Sequence, residues 1–428
     1  MALYSKRRTL TLLAGAATLS LMAAACSSGS NSSSSDTSAD NSRGPITYVQ
    51  GKDNSDILAP TVAAWNKAHP NEKVTAKEQS DQADQQHDDL VQNFQAKSDA
   101  YDVVSVDVVW TAEFAAKGWL TPLKGDMALD TTGYLPATVK AATYNNTLFA
   151  APVSSDGGIL YYRKDLVPTP PTTIDDMWKD CAIAKKNNMD CYAGQFAKYE
   201  GLTVNATEWM NTFGGKVVDD SGKPVVDSPE SLKGLTALVD GFKQGYIPKQ
   251  ALTYQEEQGR QSFEAGKLLF LRNWPYVYNL ALTDASSKVK TKFAVAPLPG
   301  ATAGNPGTSS LGGHSAAISA YSKHKATALD FLKFLTSEEQ QKFNMEKGSL
   351  APTRESLYSD ASLVKTYPYL PTLLKSIQSA VPRPVTPFYP AVTTAIQDNS
   401  YAAISLATAP DQALKNMQAA LTAAISGS

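Results

Sequence analysis

The chain has 428 residues, with 39 Lys and Arg against 41 Asp and Glu, a formal net charge of −2 and 43% hydrophobic side chains. That balance leaves no basic stripe, which argues against nucleic acid as a partner. The length exceeds what one hydrophobic core supports and implies two domains.

The first 25 residues read as an export signal, with Lys6, Arg7 and Arg8 as the charged start and Leu10 to Ala25 apolar or small. The run is too short for a confident spanning helix and ends in small residues, as signal peptides do. Ala23-Ala24-Ala25-Cys26 resembles the lipobox of bacterial lipoproteins, which implies that Cys26 becomes an acylated N-terminus. Ala23 stands where that pattern usually has Leu or Val, and a plain secretory signal with an incidental cysteine is the alternative. Arg7-Arg8 followed by Leu10 leaves both general and twin-arginine export open. Residues 26–44 lack large apolar side chains and read as a flexible Ser-rich tether.

From residue 45 the pattern alternates. "PITYVQ" is a strand, "ILAPTVAAWNKAH" a helix with Leu58, Val62 and Trp65 on one face, and "EKVTAKE" the next strand. "DDLVQNFQAK" is a second helix, and "YDVVSVDVVW" a buried strand rich in β-branched residues. Such alternation implies a parallel α/β sheet, whose ligands gather at the carboxyl ends of its strands. The loop "GKDNSD" and the region from Asp107 to Trp110 are therefore where a site belongs. Cys181 and Cys191, ten positions apart in an exported chain, read as a structural disulfide. Without a neighbouring His they lack the ligand set of a metal site. Further on, Ser228, Pro229 and Gly245 bound a helix, "KLLFLRNW" is a strand, and "GGHSAAISAYS" is another. Ser337 and Gln340 are spaced as a capping box, with Gly348 as the stop. No further segment is long and apolar enough to cross a bilayer.

Four stretches, "DVVSVDVVWTAEFAAKGWLTPL", "LFAAPVSSDGGILYYRKDL", "FEAGKLLFLRNWPYVY" and "GSLAPTRESLY", together resemble the substrate-binding lipoproteins of carbohydrate ABC importers. Within that family they look most like the mycobacterial trehalose-binding and trehalose/maltose-binding branch. The resemblance implies a two-lobed, maltose-binding-protein-like α/β fold (the type II periplasmic-binding-protein fold) with hinge strands. The first lobe would take 45–155 plus 310–358 and the second 156–309 plus 359–428. It also implies a lipid-anchored, monomeric receptor outside the membrane, a disaccharide ligand, an ABC permease as partner and no cofactor.

A sugar offers hydroxyls around its rim and C–H faces above and below, so binding it needs carboxylate or amide acceptors and aromatic plates. On the resemblance, Asp107 binds sugar hydroxyls, although a helix-capping aspartate would also fit that place. Trp110 reads equally as core or as platform. Asp156 stands where the branch usually has Asn, exchanging an amide for an acceptor-only carboxylate. Asn54 and Gln86 match polar positions facing the cleft, Glu256 a sugar-binding glutamate whose register Glu257 leaves uncertain by one, and Trp274 a sugar-contacting tryptophan. Gly312, Gly313 and His314 match a backbone-lined edge, with His an unusual residue there, and Arg383 matches an arginine that reaches a hydroxyl.

Two other classes remain at this level. A secreted glycosidase would use an acid pair such as Asp107 and Glu256, and turnover of a glycoside would reveal it. A surface adhesin would need no cleft. The four histidines, at 69, 87, 314 and 324, are unpaired in sequence and give a metal or triad reading little support.

Overall fold

The computed structural model describes residues 42–426. The signal, most of the tether and the acylation of Cys26 lie outside the described residues. Arg43 is already docked, its guanidinium bound to Glu72 at 2.8 Å and to Asp330 at 2.6 Å.

Two sheets organise the chain. The first runs in the order Val74–Glu78, Ile46–Gln50, Val103–Asp107, His314–Ile318, Ala150–Pro152. Its first three strands are parallel, as the strand–helix alternation requires, and His314–Ile318 returns antiparallel with His314 opposite Asp107. The second sheet runs Phe293–Ala296, Ile159–Arg163, Leu268–Asn273, Asp190–Ala193. Its two central strands, Ile159–Arg163 and Leu268–Asn273, are buried along their whole length, each carrying a single arginine.

The chain leaves the first sheet after Ala150–Pro152 and returns to it at His314–Ile318. Both passages run through a two-stranded ribbon, Asp156–Gly157 against Leu311–Gly312, with Gly312 opposite Asp156. Val381 docks beside it: Leu311 N–H donates to Val381 O at 3.1 Å, and Val381 N–H to Ser309 O at 2.9 Å. This ribbon fixes how the two α/β lobes face each other.

Local signals act as their chemistry dictates. Ser228 Oγ accepts from Ser231 N–H at 3.1 Å at the start of the helix Pro229–Lys243, and Gly245 takes the left-handed φ of +73° just beyond it. At the helix Glu338–Gly348 only half of the expected box forms. Ser337 Oγ accepts from Gln340 N–H at 3.2 Å, but the buried Gln340 amide donates to Thr61 at 2.9 Å and Asn344 at 2.8 Å. A buried amide without partners would cost more than a cap contributes. The left-handed residue is Ser349, at φ +51°, while Gly348 packs where a Cβ would come within 3.0 Å of Ile57 and Ser55.

Cys181 and Cys191 are joined, tying the helix Ile174–Lys186 to the strand Asp190–Ala193. Opening a short loop of this kind costs about 2–3 kcal/mol. Reduction, or the double substitution Cys181→Ser with Cys191→Ser, is expected to lower Tm by several degrees in calorimetry.

Candidate functional site

Between the sheets lies a cleft of about 280 Å³, and all ten residues expected to bind ligand line it: Asn54, Gln86, Asp107, Asp156, Glu256, Trp274, Gly312, Gly313, His314 and Arg383.

Its most ordered part is built around arginines. Arg383, 2% exposed, bonds Glu200 through Nη1 and donates from Nη2 to Asp107 Oδ1 at 3.0 Å. Glu200 is further held by the Tyr389 hydroxyl at 2.5 Å and the Thr393 hydroxyl at 2.6 Å. Asp107 also accepts Val109 N–H at 3.1 Å in a local turn, whereas the helix Thr111–Ala116 receives no side-chain cap, so the helix-capping alternative for Asp107 is not met. Both terminal nitrogens of Arg383 are thus engaged by carboxylates, which fixes its guanidinium at the edge of the cleft. Its Nε alone is buried with no acceptor among the described residues.

Trp274 follows the strand Leu268–Asn273 and is anchored by its backbone. Asn273 Oδ1 accepts its N–H at 2.8 Å, and Tyr161 donates to its carbonyl at 2.8 Å. Beside it the guanidinium of Arg272 lies 3.9 Å from the ring centroid, a cation–π contact. Arg272 is itself fixed by Glu208 at 2.7 and 2.5 Å and by Gln195 at 2.9 Å. The far edge of the indole meets Gly312, where a Cβ would stand 2.9 Å from the ring. Gly313 needs its glycine for a second reason: its φ is +108°, and a Cβ would sit 2.2 Å from Ser154 O. Trp110, by contrast, is core: it is 4% exposed and packs against His87 and Phe114.

The acids differ in how far they are satisfied. Glu257 is tied to Arg260 at 2.6 Å and to the Tyr276 hydroxyl at 2.7 Å. Glu256 accepts the Tyr199 hydroxyl at 2.7 Å, and withdrawal from water raises its pKa. The register left open in sequence therefore favours Glu256 as the acid with capacity to spare. Asp156 is half-buried on the ribbon, and its carboxylate accepts no hydrogen bond among the described residues. Burial, and then the charge of Asp107, push its pKa up to about 7, with Arg272 acting against them. On the other wall Gln86 donates to Ser80 O at 2.8 Å and lies over Gly51, where a Cβ would fall 2.5 Å from its amide in this rotamer. Asn54 sits in a loop whose Asp53 accepts the N–H groups of Ser55 at 3.0 Å and Leu58 at 2.6 Å. His314 is exposed to the cleft, and its N–H donates to Ser154 Oγ at 3.1 Å.

Sequence reasoning passed over Tyr199, Glu200, Tyr276, Lys52 and Asn344, which also line the cleft. The signal for two of them was present: "YEGLTVNATEW" places two glutamates, Glu200 and Glu208, in a helix with no basic residue. Such a charge is buried only when a cation meets it. Among the described residues no group of His, Cys, Asp and Glu has the disposition to hold a metal ion. Nor, among them, is any helix long and apolar enough to cross a membrane.

Residues 50–342 match the family described as bacterial extracellular solute-binding protein. A probable ABC transporter-binding protein of Deinococcus radiodurans is 34% identical over 345 residues, covering 77% of this chain and 81% of that protein. The mannitol-binding protein of Pseudomonas aeruginosa is 28% identical over 356 residues, covering 76% of this chain and 77% of that one. Among solved structures, maltose-bound MalE3 of T. maritima superposes with a TM-score of 0.84 at 34% identity, covering 88% of this chain and 98% of that one. The fold is accordingly maltose-binding-protein-like, with two lobes.

A carboxyl whose pKa is raised by folding adds stability that is complete below the ordinary carboxylate range and lost as pH rises through the raised value. For Asp156 that loss runs up through about 7. Ligand-free Asp156→Asn is therefore expected to be more stable than wild type at about pH 8, on the order of 2 kcal/mol after allowing for solvent screening. The gap is expected to close below about pH 4, as read by urea titrations across the range.

Proposed function

Since the chain belongs to the bacterial extracellular solute-binding protein family, a family of binders rather than enzymes, we propose that it is the sugar receptor of an ABC importer. The ligand is a glucose-containing disaccharide, trehalose first and maltose or another α-glucoside second, enclosed between the lobes and handed to the membrane permease. The lobes divide as the sheets do, 45–155 with 310–358 and 156–309 with 359–428. The protein acts as a monomer at the outer face of the membrane, held by a lipid on Cys26, and the tether keeps its local concentration near the permease high.

One observation carries this reading. A tryptophan backed by a fixed arginine faces a cleft lined by two acids, Asp156 and Glu256, that retain accepting capacity. A flat apolar plate beside unfilled acceptors is complementary to a pyranose, whose C–H face stacks while its hydroxyls donate. The maltose held by the 34%-identical relative supports an α-glucoside. The mannitol named for the 28%-identical one makes polyols the comparison to include. Asp156, able only to accept when ionised, selects for a ligand hydroxyl at its place and against an ether oxygen.

The test is a thermal-shift panel with trehalose, maltose, sucrose, glucose, mannitol and a peptide mixture. A ligand at a hundredfold excess over its Kd adds about 2.7 kcal/mol of stability, a shift of several degrees. Trehalose is expected to give it and the peptides none; no shift with any sugar at millimolar concentration overturns the reading. With the sugar found, Trp274→Ala is expected to weaken binding by about 2 kcal/mol, roughly thirtyfold, in calorimetric titration.

A further inference from the structure

The lobes also touch through Asp84, which does not itself line the cleft although Glu200 opposite it does. The helix Glu200–Thr212 begins after Tyr199, whose backbone is extended and whose side chain supplies no cap. The Tyr199 hydroxyl is committed to Glu256 at 2.7 Å. The first amides of a helix need an acceptor from somewhere. Here it comes from the opposite lobe: Asp84 Oδ1 accepts Glu200 N–H at 3.1 Å. The second oxygen, Oδ2, receives the Gln397 amide at 3.5 Å from the helix Tyr389–Ile404.

The two sides of this contact belong to different sheets. Asp84 sits in the first turn of the helix Ala83–Gln95, whose Phe94 packs on Phe114 and Trp119 with ring centroids 5.3 and 5.5 Å apart. Glu200 heads the helix whose Glu208 binds Arg272 in the second sheet. A carboxylate at a helix N-terminus is favoured both by the hydrogen bond and by the helix dipole. Parting the lobes removes both, and Tyr199 offers no replacement.

We infer that Asp84 is a positioning residue, a latch from the first lobe that caps a helix of the second only while the lobes are together. It sets ligand affinity and residence time without touching the ligand. The inference rests on the receptor reading only in that the ligand is enclosed by the lobes.

The test is hydrogen–deuterium exchange on the full, ligand-free chain, comparing wild type, Asp84→Ala and Asp84→Asn. Losing the latch is expected to speed exchange about fivefold in the cleft segments 51–57 and 311–314 of Asp84→Ala, as well as at 199–203. Asp84→Asn keeps an oxygen acceptor and is expected to remain within about twofold of wild type. Gln397→Ala, which leaves the cap intact, is expected to show the same pattern more weakly, and it serves should Asp84→Ala fold poorly. Acceleration confined to 199–203, or no acceleration in the cleft segments of either Ala variant, overturns the latch. Because no sugar is present, that outcome is separate from failure of the sugar panel.

Discussion

The arrangement depends on one buried cation. Arg383 is nearly inaccessible to water, and two carboxylates from opposite sides of the cleft, Asp107 at the end of a strand of the first sheet and Glu200 at the head of a helix of the second lobe, converge on it. A buried charge stripped of one partner is left uncompensated at a cost of about 3–5 kcal/mol. The facing of the lobes, the tilt of the Glu200 helix and the floor of the cleft are therefore set together. The segment "PRPVTP" that delivers Arg383 is rigid in φ at its prolines, which suits a chain that must carry a charge to one place.

A second arginine does a similar task for the aromatic wall. Arg272 is held by Glu208 and Gln195, and it in turn lies against Trp274. An indole with its ring already oriented loses little rotamer freedom when a ligand arrives, so more of the stacking energy remains for affinity. The neighbouring acids are treated oppositely. Glu257 is saturated by Arg260 and Tyr276, whereas Asp156 and Glu256 retain accepting capacity in the cleft.

Much of this was legible in the sequence. The parallel strands of the first lobe followed from β-branched runs alternating with helical spacing, and the carboxyl-end rule pointed to the loop after Gln50 and to Asp107 before any resemblance was used. The antiparallel members of both sheets were not legible, because strand direction is decided by where the crossing ribbon delivers the chain. Tyr199 and Glu200 escaped notice because their partners, Glu256 and Arg383, lie 57 and 183 positions away. Half of the Ser337 box was lost to tertiary contacts, since the Gln340 amide was needed inside. The choice between Trp110 and Trp274 as a plate could not be made locally: both follow strands, and only the packing of Phe114 and His87 makes the first one core.

The position of Asp156 has a consequence for how such a chain diversifies. Asp156 and Gly312 face each other in the ribbon by which the chain passes between the sheets. An altered side chain at either place acts on two properties at once, the chemistry presented in the cleft and the bending stiffness of the connection. Gly312 is the tighter constraint, as any larger residue meets the indole of Trp274. New preferences are then reached more readily through the walls, at Asn54, Gln86 or Glu256, which can vary without deforming the joint.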